Sequence, residues 1–234
     1  MSLKKFINRL LPDSCILCGA LSQDICESCL LDLPYLMYAC PSCARPLLDI
    51  KQNLLCGICL KDPPPFNQTL AVYLYESQLI KLIMDLKFNH ALVNAYVLGK
   101  QMANKIFAHS SYHISPPEVI IPVPLHPHRL RERGFNQALE ISRPIAKKLK
   151  LPLELRRCQR VKHTAAQATL LAKARQQNIQ NAFNVSLPFP YQHIAIVDDV
   201  ITTGQTIIEF SRALRKAGVK KIDVWCCARP RLQR

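Results

Sequence analysis

Long apolar runs are missing from this sequence. A charge or a proline cuts every one well before the ~18 residues that a membrane-spanning helix needs. The start of the chain, residues 1–11, is basic, but its apolar stretch is broken by Asn8 and Arg9. It lacks the long hydrophobic core and small-residue cleavage site of a secretory leader. An amphipathic helix using Phe6, Ile7, Leu10 and Leu11 is expected there instead, and a cytoplasmic protein with it. Acidic residues are scarce, 16 against 31 Lys and Arg, for a formal net charge of +15. A surface so short of acid attracts polyanions such as nucleic acid, nucleotides or an anionic membrane face. The excess is clustered: residues 118–162 hold eleven Lys or Arg against four Glu. No helix-turn-helix signal is present, which counts against a gene regulator, and no low-complexity tract or internal repeat appears beyond the cysteine pairs described next.

Eight of the eleven cysteines fall in four Cys-x-x-Cys pairs, Cys15/Cys18, Cys26/Cys29, Cys40/Cys43 and Cys56/Cys59, separated by seven, ten and twelve residues. Such a turn presents two thiolates to one metal ion, and two turns complete a tetrahedron around zinc. Reduced cytosolic thiols make a disulfide framework the weaker reading. Two zinc ions per chain are expected. Pairing can be sequential, giving two ribbons, or crossed; the short spacers favour the sequential form, because each site then closes a small loop. With sulfur at all four positions no coordination site is left for water, so the zinc is structural. Residues 1–62 form this cysteine-rich module, which is too small to fold without its metal. Pro63-Pro64-Pro65 ends it as a stiff spacer, and residues 66–234 form a second domain. Cys158, Cys226 and Cys227 lack pair spacing, and the last two sit in an apolar stretch that reads as core or near-core.

In the second domain, 69–75 reads as a strand; Leu79, Leu82, Ile83 and Leu86 follow helical spacing, as do Val97, Leu98, Met102 and Ile106. Buried strands are expected at 119–121 and 194–197 and a last strand at 222–226. Helices are expected over 135–149 and from Ile207 to a stop at Gly218. This alternation indicates an α/β fold with a mainly parallel sheet flanked by helices.

Two segments carry chemistry. Ile196-Val197-Asp198-Asp199-Val200-Ile201-Thr202-Thr203-Gly204-Gln205-Thr206 runs from a buried strand through two acids into a hydroxyl-and-glycine loop that opens a helix. N–H groups at a helix start bind anions. Thr202, Thr203 and Thr206 add hydroxyls, and Gly204 permits close approach. The carboxylates stand at the carboxyl end of the strand, where open α/β sheets bind ligands; a phosphate beside vicinal hydroxyls fits these groups. The second segment, 120–137, leaves a strand through prolines and carries Arg129, Arg131 and Arg133 before Gly134. If the segment is extended, its alternation sets all three arginines to one side as a grip for a diphosphate.

The first segment resembles, at every position, the motif by which type I phosphoribosyltransferases bind 5-phosphoribosyl 1-diphosphate (PRPP). The second, with Pro122-Val123-Pro124 and Arg133-Gly134-Phe135-Asn136-Gln137, is similar to the competence protein F (ComF, GntX-like) family. The likeness extends to Leu86-Lys87-Phe88, to Arg160, Lys162, Thr164, Gln167, Leu170, Arg175, Asn178 and Phe183, and to the cysteine module, so it covers almost the whole chain. It implies a type I phosphoribosyltransferase fold with an N-terminal double zinc ribbon. It also implies that Asp198 and Asp199 hold the ribose hydroxyls, that residues 202–206 (Gln205 included) cradle the 5′-phosphate, and that 156–181 closes over PRPP. In a catalytic reading Mg²⁺ accompanies PRPP, Asp198 and Asp199 orient the ribose, and Arg131 and Arg133, with Arg129, hold the leaving diphosphate.

The family name implies handling of single-stranded DNA in natural transformation, with PRPP as a ligand. A DNA-translocating helicase of the competence machinery is then an implied partner. The alternative is an active phosphoribosyltransferase with a nucleobase- or nucleotide-type acceptor, although no segment stands out as a base pocket. For DNA, either the anion pocket with Arg131 and Arg133 is shared or a separate track runs along the zinc module or Arg156, Arg157, Arg160 and Lys162. The separate track is favoured, because a pocket sized for one sugar diphosphate cannot neutralise several successive phosphates, with Tyr73, Tyr75 and Phe135 as weak aromatic candidates.

Overall fold

The computed structural model describes residues 14–22, 24–47, 54–162 and 180–231. The expected helix before residue 12 and the central part of the expected closing segment, 163–179, lie outside these residues. Four strands form a parallel sheet in the order β1-β6-β5-β2. They are β1 (Gln68–Leu74), β2 (Val119–Pro122), β5 (His193–Val200) and β6 (Lys221–Arg229). A short antiparallel pair, β3 (Cys158–Arg160) with β4 (Phe183–Val185), stands apart from it.

Period-two alternation sorts the strands between two cores. Ile194, Ile196, Ile222, Val224 and Cys226 face one side. There they pack on Ile207, Phe210 and Leu214 of the last helix, α8 (Gln205–Lys216). Ala195, Val197, Trp225 and Cys227 face the other side, which is covered by α3 (Ser77–Phe88), α4 (Leu92–Ala108) and α7 (Gln137–Leu149). Sheet residues are therefore apolar on both faces, as a parallel sheet under two helical layers requires. Cys226 and Cys227 are buried in these two cores, as the sequence led us to expect.

Helices α4 and α7 approach very closely. At Gly99 a Cβ would lie 2.3 Å from the Ile141 carbonyl oxygen and 2.4 Å from Cγ of Pro144. Only glycine fits there. α5 (Ser110–Ile114) then leads to β2, and α6 (Pro127–Arg133) joins β2 to α7.

The cysteine module, with its two short helices α1 (Glu27–Leu31) and α2 (Gly57–Lys61), is packed onto the sheet. Leu36 N–H donates to Val72 O (2.9 Å), and Leu74 N–H donates to Pro34 O (2.7 Å). These bonds pair the module with β1, the edge strand, and satisfy backbone groups that an open edge would expose. Leu33 joins one core and Leu36 and Ala44 the other.

Candidate functional site

The eight paired cysteines gather as two clusters, Cys15/Cys18/Cys26/Cys29 and Cys40/Cys43/Cys56/Cys59, with the ligand atoms of each within 4.8 Å of one another. Pairing is thus sequential. Sγ atoms of Cys18 and Cys26 are 3.6 Å apart, and those of Cys43 and Cys56 are 3.7 Å apart. A tetrahedron of Zn–S bonds of about 2.3 Å sets its sulfurs ~3.8 Å apart, so both clusters fit the ion. Their protonation points the same way. Burial raises the Cys15 thiol, but backbone N–H groups from Cys26, Cys18 and Leu17 outweigh it and bring the group to about 6. Hydrogen bonds from Cys18 and Cys26 push Cys29 up. Four crowded thiols cannot all ionise unless a cation takes up the charge. Both are structural zinc sites.

At the opposite end of the sequence's logic lies a cleft of about 350 Å³ at the carboxyl ends of β2 and β5. Asp198 and Asp199, near the end of β5, both line it, with Thr202 and Thr206 from the following loop. Gly204 adopts φ +86, a left-handed turn that starts α8, and no side chain caps the helix. Its first N–H groups therefore carry the positive end of the macrodipole without a side-chain acceptor. The loop is held from behind by Arg229, which is buried: its guanidinium donates to Ile201 O (2.5 Å) and Thr202 O (2.8 Å).

The two carboxylates differ because the strand alternates. Asp199 is on the face covered by α3, α4 and α7 and 4% exposed, whereas Asp198 points to the α8 side and is half-buried. Lys87, from the last turn of α3, forms an ion pair with Asp199. Gln137, at the start of α7, donates to Asp199 Oδ1 at 3.5 Å and accepts from Arg133 at 2.6 Å. Burial raises both acids, but Lys87 outweighs it at Asp199 and holds that carboxyl below the ordinary range. Asp198 has burial and the neighbouring Asp199 charge against it and is raised well above. The pair shares one bound cation and one easily lost negative charge.

The arginine segment is not extended. Pro127 at the first helical position and His126, whose Nδ1 accepts from His128 N–H (3.2 Å), start α6, and Gly134 at φ +78 stops it. Helical spacing changes which arginines cooperate. Arg129 and Arg133, four apart, both line the cleft, while Arg131, two residues from each, is exposed and does not line it. The one-sided triad expected from alternation is corrected to a pair. The Gly-Phe-Asn-Gln run after it also gains a physical reading. Gly134 makes the turn, Phe135 packs 5.7 Å from His90, and Asn136 caps α7 by accepting from Ala138 N–H (2.9 Å) while donating to Val123 O (3.0 Å). Gln137 is thereby aimed at Asp199.

Lys87, Tyr75, Gln137 and Arg160 also line the cleft, although sequence reasoning gave them no role there. Lys87 had a signal: it stands four residues after Ile83, in the phase of the buried face of α3, where a cation needs a partner. Among the weak aromatic candidates, Tyr73 is fully buried and Phe135 half-buried. Of the expected basic track, Arg157 pairs with Glu154 (2.9 Å) and Lys162 donates to Gln180 O (2.6 Å). No helix among the described residues is long and apolar enough to cross a membrane.

Comparison with known proteins agrees with this architecture. The double zinc ribbon domain matches residues 6–60 and the phosphoribosyl transferase domain residues 136–233. The chain is 37% identical to "Competence protein F" of Haemophilus influenzae, over 88% of this chain and 90% of that one. It is 35% identical to "DNA utilization protein YhgH" of Salmonella typhimurium, over 93% and 97%. "Competence protein ComFC" of Bacillus subtilis is 24% identical over 84% and 80%. A parallel sheet with a phosphate-type loop at its carboxyl edge, a double zinc ribbon on its flank and this degree of identity over nearly full length place the chain in the competence protein F family, as a phosphoribosyltransferase-fold protein with an N-terminal double zinc ribbon.

Proposed function

We propose that the cleft binds PRPP together with Mg²⁺, and that the protein handles single-stranded DNA during DNA uptake. The observation that carries the first half is the convergence, in one cleft, of Asp198 and Asp199, the Thr202 and Thr206 hydroxyls and the Arg129/Arg133 pair. Carboxylates suit ribose hydroxyls, an uncapped helix start with hydroxyls suits a phosphomonoester, and a guanidinium pair suits a diphosphate. The donor set also fits the metal. Mg²⁺ takes one or two carboxylates plus phosphate oxygens, and Asp198, the half-buried acid beside the Lys87–Asp199 pair, would offer its carboxylate for this. When bound, the ion neutralises charge shared between diphosphate and ribose. The chain's own residues do the rest: Arg229 fixes the loop, Gln137 orients Asp199, and Lys87 keeps that acid ionised.

The DNA half rests on the names of the relatives, on the +15 charge and on the zinc ribbons. A second reading, phosphoribosyl transfer to an acceptor, is favoured by one observation. A cavity of about 730 Å³ adjoins the cleft and shares Leu125 and Arg160 with it. Release of diphosphate from PRPP in the presence of candidate acceptors would identify turnover.

PRPP binding is tested by melting. A ligand present at ~100 times its Kd stabilises the native state by about 2.7 kcal/mol, or roughly 5–10 °C for a chain of this size. Asp198→Asn with Asp199→Asn should remove that shift while leaving the unliganded protein folded. An undiminished shift in the double variant would mean that these carboxylates do not hold the sugar.

A further inference from the structure

Three exposed aromatic side chains have a cation against their ring, and none of them lines the expected basic track. Arg133 stands 5.9 Å from the Phe88 ring, Lys100 stands 6.0 Å from Tyr96, and Lys148 stands 5.6 Å from Phe107. The rings are 60%, 49% and 47% exposed, respectively. Singly, exposed aromatics mean little; their arrangement is the informative part. Tyr96 and Phe107 are both on α4, eleven residues apart. Eleven residues are about three helical turns, so both rings fall on one stripe roughly 16 Å long. Lys100 and Asn104 lie between them on the exposed face, and Asn104 accepts from Lys148 of α7 (2.6 Å). At the far end Phe107 is extended by His113, edge-on at 5.0 Å. At the near end α4 begins beside the cleft, where Phe88 and His90 share a small groove with Lys87, Arg129, Glu132 and Arg133.

The charge around this stripe is mostly basic, with Asp24 and Glu132 as the acids at its margins. α4 and α5 contain no acid, and α7 contains only Glu140, which pairs with Arg143 at 2.9 Å. Against these stand Lys100, Arg143, Lys147 and Lys148. Asp24 of the first cysteine module pairs with Lys100 (2.8 Å) and so brings that module to the edge of the same surface.

We propose that this face, the exposed stripe of α4 with the basic side of α7, is the track on which single-stranded DNA lies, its bases stacking on Tyr96 and Phe107 and its phosphates on the α7 lysines. The inference rests on the DNA-handling reading above and assigns it a surface. Alternating cations and aromatic faces are the chemistry that holds a single strand without sequence preference. A helix docking on α4 would want an aliphatic stripe. Large exposed aliphatic side chains on α4 are confined to its first turn, at Leu92 and Val93.

The test is fluorescence anisotropy of the full-length zinc-loaded protein with a labelled oligo-deoxythymidine and with an abasic strand of equal length. Tyr96→Ala with Phe107→Ala should weaken the thymidine strand about tenfold per ring. The double variant should barely distinguish thymidine from abasic strands, whereas the wild type should prefer thymidine by a similar factor. The slope of log affinity against log salt should stay unchanged. Lys147→Ala with Lys148→Ala should instead lower the slope by roughly 1.4, at about 0.7 per phosphate contact. All four positions are exposed, so an unchanged melting temperature should confirm that each variant is folded. Tight thymidine binding by both double variants, with wild-type salt slopes, would overturn this surface while leaving DNA handling in place. Absence of single-strand binding by the wild type would overturn the DNA reading itself. Loss of self-association in the aromatic variant, with DNA binding intact, would reassign the face to a protein contact and also overturn the proposal.

Discussion

Replacing Lys87 by Met should destabilise the unliganded protein and alter its pH dependence in a defined direction. The Lys87 side chain is 20% exposed and its Asp199 partner 5% exposed, so the pair is close to buried without being sealed. Removing one partner of a fully buried pair costs about 3–5 kcal/mol. Discounted for the water that reaches Lys87, about 2–3 kcal/mol is expected, a fall in Tm of roughly 6–9 °C. The sign with pH follows from the lowered carboxyl. Asp199 in the folded wild type sits below its unfolded value because Lys87 outweighs burial. Its contribution is therefore fully present above the unfolded value of about 4 and is lost as pH falls through the lower folded value. Without Lys87, the largest force holding Asp199 down is gone while burial still raises it. The two proteins should differ most near neutrality and converge in acid. Calorimetry across this range checks it, with Lys87→Arg as the charge-retaining control. In an Asp199→Asn background the same substitution should cost much less, since no buried carboxylate is left unpaired. Equal melting of wild type and Lys87→Met at pH 7 would refute the pairing as an energetic element.

Elemental analysis should find two zinc ions per chain, and Cys56→Ala should lower this to one, because the clusters do not share ligands. PRPP-induced stabilisation should fall sharply in Arg129→Ala and Arg133→Ala but change little in Arg131→Ala; equal losses at all three would restore the extended reading of the segment. Gly99→Ala should destabilise the fold by about 1–3 kcal/mol despite alanine's better helix propensity, because the new methyl meets the Ile141 backbone and cannot displace it. Chemical denaturation would show it, and a stabilised variant would mean that α4 and α7 can part freely.

The elements of the fold were legible where side-chain periodicity is driven by burial. β5 and β6 alternate between two cores, and the apolar run at 194–197 and the mostly apolar stretch 222–226, broken by Asp223, follow from that. α3 and α4 were legible from Leu79/Leu82/Ile83/Leu86 and Val97/Leu98/Met102/Ile106, which are buried. Sequential cysteine pairing followed from loop closure, a local cost that spacing reveals. The attachment of the cysteine module to β1 was not legible. It is made by backbone groups of Pro34, Leu36, Val72 and Leu74, and backbone hydrogen bonding between distant segments leaves no mark on side-chain pattern.

The site was legible in its anionic half and misread in its cationic half, for a reason that lies in α6. Proline, histidine, arginine and glycine in 126–134 suggest an irregular extended segment by composition. Three of these residue types serve helix boundaries instead: His126 caps, Pro127 begins and Gly134 ends a helix of seven residues, and the arginines lie inside it. A helix so short has no periodic apolar face to announce it; Pro127–Arg133 buries no residue. Its consequence is a change of partners, since arginines two apart diverge on a helix and those four apart converge. Lys87 and Gln137 escaped for a related reason. Their roles depend on Asp199, which is 112 and 62 residues away respectively, and only the packing of α3 and α7 on the same face of β5 brings the three together. Of the two acids that the resemblance assigned to ribose, Asp199 is therefore the one that the fold has already given a cation. Any ligand that uses Asp199 must either accept Lys87 as a neighbour or displace it. For the phosphate-rich ligand proposed above, a cation at that position is an advantage.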